Sequence, residues 1–259
     1  MASILTNTSA MTALQTLQST NKNLATTQNR IATGERVSTA SDNAAYWSIA
    51  TGMKAQNSAN SAVKDSLGFG AAVVDTAYTG LEEGIKLAEQ IMAKYVARQQ
   101  GGVDTVAIDA EITELKAQMT SIATSSDFQG QNLLTTMGTA LTVVNGYTAA
   151  GGTTTITVAN YDLEGAGATM TDAATSQTAL DAMRGAAATM GASKARIDSQ
   201  IEFTGKLMDA IDRGVGVLVD ADMNAESARL SALQTQQQLG IQALSIANQN
   251  SQSILSLFR

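Results

Sequence analysis

Proline is absent from all 259 residues. At an average usage of about 5%, a chain of this length would carry roughly 13. Each proline removes a backbone donor and jams its ring against the preceding helical turn, so a chain that avoids it everywhere is free to build very long helices. Periodicity fills that allowance. Leu180, Met183, Ala187, Met190, Ile197, Ile201, Met208, Ile211, Val215 and Leu218 alternate by threes and fours, with Lys194 and Thr204 as polar exceptions. This is a heptad, and it predicts one seam on one helix. A second series runs from Tyr46, Ile49 and Met53 through Val63, Leu67, Val74, Ala77, Leu81, Ala88, Ile91 and Tyr95. A third, after a Gly101-Gly102 break, holds Ile108, Ile112, Leu115, Met119 and Ile122. A helix of roughly 40 residues is about 60 Å long, so the expected fold is mainly α, an antiparallel coiled-coil rod.

The seams are built from Ala, Leu, Ile, Val and Met, because aromatic residues are only 4% of the chain. Such side chains suit helix-on-helix packing rather than an aromatic-anchored pocket. Cysteine and histidine are also absent. This removes disulfides, thiolate nucleophiles, imidazole bases and most zinc or copper chemistry. The balance of 16 basic to 23 acidic residues, net charge −7, argues against nucleic acid as a partner.

What remains of candidate chemistry reads as architecture. Asp220-Ala221-Asp222-Met223-Asn224 opens like a calcium loop, but Ala225 stands at the turn glycine and Ser231 at the bidentate glutamate. It reads instead as a joint or a helix restart capped by Asp or Asn. Gly214-Val215-Gly216 and Gly68-Phe69-Gly70 lack a third glycine and a preceding strand, so close helix packing explains them better than a phosphate loop. Glu82-Glu83 and Asp162/Glu164 read as solvated, and Met92 reads as core. No catalytic residue, cofactor or metal ligand is nominated, and the chain is not read as an enzyme. Between Leu141 and Val158 the period changes to two, with an Asn145-Gly146 turn signal, and one or two β-hairpins are expected. Gly165 to Thr175, rich in Gly, Ala and Thr, reads as loop.

The two ends carry no charge from Met1 to Asn21 and from Leu230 to Phe258. Amides and hydroxyls interrupt both, so neither is a membrane span, and no basic region precedes an apolar one as in a secretory signal peptide. Leu14, Leu17, Leu24 and Ile31 fall on one heptad seam, with Asn21 and Gln28 in the polar slots. Leu230, Leu233, Leu244, Ala247, Ile254 and Phe258 form a stripe at the other end, while Leu239, Ile241, Ile246 and Leu257 lie off it. A helix apolar on more than one side calls for several neighbours.

Asn29-Arg30-Ile31-Ala32-Thr33-Gly34-Glu35-Arg36-Val37, followed by Ala40-Ser41-Asp42-Asn43-Ala44-Ala45 and Ile49-Ala50, closely resembles the N-terminal signature of bacterial flagellins. Leu233-Gln234-Thr235-Gln236-Gln237-Gln238-Leu239, then Ala247-Asn248-Gln249 and Ile254-Leu255-Ser256-Leu257-Phe258-Arg259, resembles that family's other end. The resemblance implies a structural subunit, a major or minor one, that polymerises into the extracellular flagellar filament serving swimming. It implies paired terminal helices, residues 1–40 with 223–259, lining the filament core, and a helical domain over 41–222 that includes a hairpin and loop at about 138–175. It also implies export of unfolded monomers through the flagellar type III channel without a cleaved signal peptide, with chaperone and cap as partners. Leu14, Leu17, Leu24, Ile31, Leu244, Ile254 and Phe258 are the expected assembly contacts. Leu180, Met183, Met190, Ile197, Ile201, Met208 and Ile211 form the expected rod seam.

Four departures qualify the resemblance. The middle is too short for a bulky variable domain. The family's frequent Phe-Asn-Gly reads Phe128-Gln129-Gly130, and its usual proline near Asn250-Ser251 is absent. Glu89 to Val96 also lacks the arginines of flagellins sensed by the animal innate immune receptor, so weak or no recognition is expected. A hook–filament junction protein shares the terminal layout, and a soluble helical adaptor or secretion partner is the rival from a different class.

Overall fold

The computed structural model describes residues 7–136, 138–148 and 152–257. In chain order the elements are α1 (Thr8–Thr33), α2 (Ala44–Arg98), α3 (Thr105–Ser125), β1 (Asp127–Phe128), β2 (Gln131–Asn132), β3 (Leu141–Tyr147), β4 (Thr153–Val158), α4 (Leu163–Thr169), α5 (Ala173–Val219) and α6 (Met223–Leu257). The class is the expected one: mainly α, with long antiparallel helices, paired terminal helices and a small β region. α2 has 55 residues and α5 has 47, lengths that a single internal proline would have interrupted. The Gly101-Gly102 break is real. Gly102 adopts φ 90°, and Asp104 restarts the chain by accepting the N–H groups of Val106 and Ala107.

The chain divides into two compact units, Gln56–Ala210 and the two ends, Met1–Ala55 with Ile211–Arg259. In the first, α2 and α5 run antiparallel: Glu89 meets Arg184 at 2.9 Å, and Asp75 meets Lys194. α3 folds back along α2 with Arg98 paired to Asp109 at 3.1 Å and Lys94 paired to Glu111. Burying the heptad seams then gives one dry core. Leu67, Val74, Leu81 and Ile91 of α2 close on Met119 of α3 and on Leu180, Met183 and Ile197 of α5, each at most 1% exposed. Met190 is buried with them, Ile201 packs on the edge of this core, and Met208 is half-buried.

The segment after α3 is laid on this core by close backbone approaches. A Cβ on Gly70 would lie 2.5 Å from Val143 of β3, and one on Gly80 would collide with the Ser126 hydroxyl and sit 2.7 Å from Leu134. Gly68, by contrast, faces open space, so close packing explains only the second glycine of its pair. Tyr95 donates to the Met170 carbonyl at 2.7 Å, and Lys116 donates to the same oxygen at 2.5 Å.

Three local expectations need correction. Asn145-Gly146 is not a turn; both residues lie in β3, where the register with β4 shifts between Val144 and Gly146. The bulge takes up Asn145, Gly146 pairs with Thr154, and the reversal comes after Tyr147. Gly165 to Thr175 is not all loop. Asp162 caps α4 by accepting from Gly165 N at 2.8 Å, and α5 begins at Ala173 behind Asp172, which accepts from Thr175 N at 2.7 Å. Small residues that read as flexible are helical here because Leu163 and Gly167 are buried and a carboxylate supplies each cap. The one or two hairpins expected between Leu141 and Val158 are one, β3–β4, and a further hairpin, β1–β2, lies ahead of it where none was expected. Gln129 and Gly130 have φ of 55° and 81° and turn the chain between paired Phe128 and Gln131, and Phe128 lies 5.7 Å from the Phe69 ring.

Candidate assembly surface

In the unit made by the two ends, α1 and α6 pair antiparallel. Asn7 Nδ2 donates to Ala247 O at 3.0 Å, Gln237 Nε2 donates to Asn21 Oδ1 at 2.8 Å, and Arg30 meets Glu226 at 3.2 Å. Along α1 the covered positions are Ala10, Ala13, Leu17, Thr20, Leu24, Thr27 and Ile31. Along α6 they are Glu226, Leu230, Leu233, Gln237, Gly240, Leu244 and Ala247. Each set steps by threes and fours, so this is a heptad seam in each helix. Leu17 fits because Gly240 has no side chain; a Cβ there would stand 3.3 Å from Leu17 Cδ1.

The seam differs from the leucine-rich one expected for α1. Leu17, Leu24 and Ile31 are half-buried in it, but Thr20 and Thr27 are its most covered members, while Leu14 is 46% exposed, Gln28 is exposed, and Asn21 reaches Gln237 from the exposed flank. Threonine is tolerated because it need not leave a donor unpaired. Thr20 returns its hydroxyl to Thr16 O at 3.0 Å and presents its methyl group to α6. Thr12, Thr16, Thr26 and Thr33 make the same bond four residues back.

Leu244 is half-buried, and Leu239, Ile241 and Ile246 lie off the stripe and are exposed, Ile246 at 65%. Met11, one turn before Leu14 on α1, is also exposed. The side chain of Ile254 and all of Phe258 fall outside the described residues. At 100° per residue, Leu239 and Ile246 share one face of α6 well away from the seam, and Met11 and Leu14 share one face of α1. The pair therefore consumes one stripe of each helix and leaves other apolar rows in water. Tyr46, Trp47 and Ile49 at the start of α2 are likewise exposed, and cover begins there only at Ala50.

The base of the pair is a clamp that sequence reading missed. Gly34 ends α1 with φ 73°, a left-handed geometry that suits glycine, and its carbonyl accepts from Ala221 N at 2.9 Å. Arg36 N donates to Val219 O at 2.6 Å, and the Arg36 guanidinium donates to Leu218 O at 3.0 Å. On the far side Asp222 accepts from Asn224 N at 2.9 Å and restarts the helix, as its position suggested. Asp42 accepts from the N–H and hydroxyl groups of Thr39 and Ser38, and those bonds, Thr39 N–H first, hold its carboxyl below the usual carboxylate range. The Gly34-Glu35-Arg36-Val37 string was visible in the sequence, but its partner at Leu218–Ala221, so distant along the chain, was not. Met53 fills the space over Gly214, where a Cβ would come within 2.7 Å of its terminal methyl.

No group of three or more acidic side chains able to hold a metal, and no helix long and apolar enough to cross a membrane, occurs among the described residues.

The bacterial flagellin N-terminal helical region is matched by residues 4–139, and the C-terminal helical region by residues 173–258. A flagellin of Brucella melitensis is 49% identical over 281 residues, covering 100% of both chains. Flagellin C of Rhizobium meliloti is 42% identical over 320 residues, again covering 100% of each. Flagellin A of Rhizobium meliloti is 39% identical over an alignment of 395 residues that covers 100% of both, so it carries long segments that this 259-residue chain lacks.

Proposed function

This chain belongs to the bacterial flagellin family, and from that premise we propose how it works as a structural subunit of the flagellar filament. The reading rests on one observation above all: the α1–α6 pair satisfies one stripe of each helix and leaves the uncharged rows at Met11/Leu14 and Leu239/Ile246 uncovered. Neighbouring copies supply that cover. Residues 1–40 and 223–259 act as the inner layer of the polymer and 41–222 as the outer one. Leu14, Leu17, Leu24, Ile31 and Leu244, with Ile254 and Phe258 from the last turns, carry the contacts between and within subunits.

The same surfaces make the ends poor folders alone. Beside mostly half-buried leucines and Ile31, the paired seam holds threonine, glycine and glutamine, too little apolar area to offset the entropy of ordering two long helices. Monomers leave the cell unfolded through the flagellar export apparatus, escorted by a chaperone, and their ends order at the filament tip under the cap, outside the cell. Recognition by the animal innate immune receptor is weak or absent. In Glu89 to Val96 the Glu89 carboxylate is bound to Arg184 and Lys94 to Glu111, and arginine is missing from the stretch.

Seeded polymerisation of the purified full chain, read by sedimentation, electron microscopy and far-UV circular dichroism, tests the reading. Long tubes with a gain of helix are expected. A chain cut before Leu230 should keep the core of Gln56–Ala210 and form no tubes; tubes from the truncation would sink the proposal.

A further inference from the structure

α1 has two seams to choose from. The leucine-rich series Leu14, Leu17, Asn21, Leu24, Gln28 and Ile31 is the more apolar at its ends, yet the structure uses Ala10, Ala13, Leu17, Thr20, Leu24, Thr27 and Ile31. The two share three residues and differ by a rotation of α1 about its own axis of about 40°. Apolar burial alone does not decide the choice, since rotation would exchange Thr20, Thr27 and two alanines for Leu14, Asn21 and Gln28.

One interaction does. The two helices together hold four charged residues, Lys22 and Arg30 on α1 and Glu226 and Arg229 on α6, and Glu226 is their one acid. It occupies a seam position with its side chain 10% exposed, and its Oε1 binds Arg30 at 3.2 Å and Arg229 at 3.6 Å. Arg30 lies on the threonine side of α1. Turning the helix toward the leucine-rich seam carries the guanidinium away from Glu226 and leaves the covered carboxylate only its longer contact with Arg229 on its own helix, at a cost in uncompensated buried charge.

We propose that Arg30 and Glu226 are positioning residues that fix the rotation of α1 against α6, holding the Met11/Leu14 row outward so that a second copy of this chain can take it. The inference rests on the filament-subunit reading for its consequence, and on the ion pair for its cause. Because the chain has no cysteine, engineered pairs report the rotation cleanly. Thr20→Cys with Gln237→Cys places both thiols in the observed seam; Leu14→Cys with Leu244→Cys samples the other.

With native charges, oxidation of the full chain should link the first pair. In Glu226→Gln that link should weaken and the Leu14/Leu244 link strengthen, with the critical concentration for polymerisation rising roughly threefold to tenfold. The exchange Arg30→Glu with Glu226→Arg should restore both readouts, which a general loss of folding would not allow. Unchanged cross-links in Glu226→Gln, or an exchange that fails to rescue, would overturn the proposal. Oxidation traps even a minor monomer population in which the two ends pair, so the cross-links can be read whether or not tubes grow, and failure of the native chain to polymerise counts against the subunit reading and not against the rotation.

Discussion

The helices between Gln56 and Ala210 and the terminal pair obey the same three-and-four spacing with opposite contents. In the first, the seam positions are Leu67, Val74, Leu81, Ile91, Met183 and Ile197, and they are sealed. In the second, the equivalent positions include Thr20, Thr27, Gln237 and Gly240, and no large side chain is fully buried among the described residues. Spacing tells where a helix makes contact; the residues at those positions tell whether the contact is complete. A sealed seam has no further business with other molecules, while a half-filled one flanked by uncovered leucine and isoleucine has unfinished business.

The contrast is easiest to break at its strongest point. Leu81→Ala leaves a cavity in the sealed core and should cost about 2–5 kcal/mol in thermal or denaturant unfolding. The same deletion at Leu233, the most covered leucine of α6, should leave that main transition nearly in place and raise the concentration needed for polymerisation. Equal losses in the main transition would mean the two regions unfold together, and the contrast fails.

Next comes Gly70→Ala, which drives a methyl group into Val143 at the foot of the β3–β4 hairpin. A cost of about 1–3 kcal/mol is expected in the main transition, with little direct effect on polymer formation. A smaller effect of opposite sign is expected at Gln129. Its φ of 55° is one that asparagine adopts more readily, so Gln129→Asn should stabilise the Gln56–Ala210 core by less than about 1 kcal/mol.

The smallest effect sharpens the comparison through pH. Thr175, N–H first and then hydroxyl, holds the Asp172 carboxyl below its ordinary value of 3.8, as Thr39 does for Asp42 in the terminal unit. A lowered folded pKa contributes stability that is present above the unfolded value and lost as pH falls through the folded one. Acidification below about 3.8 should therefore loosen the start of α5, and Asp172→Asn should blunt that loss in melting curves taken across the acid range.

Long helices were legible because their cause is cumulative: the missing prolines and the repeated seams of Leu180 to Ile211 speak over dozens of residues. Where one or two residues decide, the sequence misled. α4 has only seven residues and is rich in glycine and alanine, so its cap at Asp162 was the one available signal. Asn145-Gly146 has turn chemistry, but its pairing with β4 converts it into a bulge. The seam of α1 was misplaced for a different reason. Leucine was weighed by its apolarity, whereas the choice of face turns on a carboxylate nearly two hundred residues away, a partner that no local pattern can reveal. The Gly34–Val37 clamp was hidden in the same way: its residues were visible, and their partners were not.

If the chain is exported as proposed, the threonines of α1 bear on a problem such a building block must solve, which is to be at home in two solvents. A hydroxyl folded onto its own helix at Thr12, Thr16, Thr20, Thr26 and Thr33 turns outward as a methyl surface, so the wound helix is greasier than its composition suggests. Unwound, the same side chains rotate and dissolve in water like those of any polar peptide. On that proposal the chain carries its compatibility with transit and its compatibility with a crowded interior in the same atoms, and coiling is the act that exchanges one for the other.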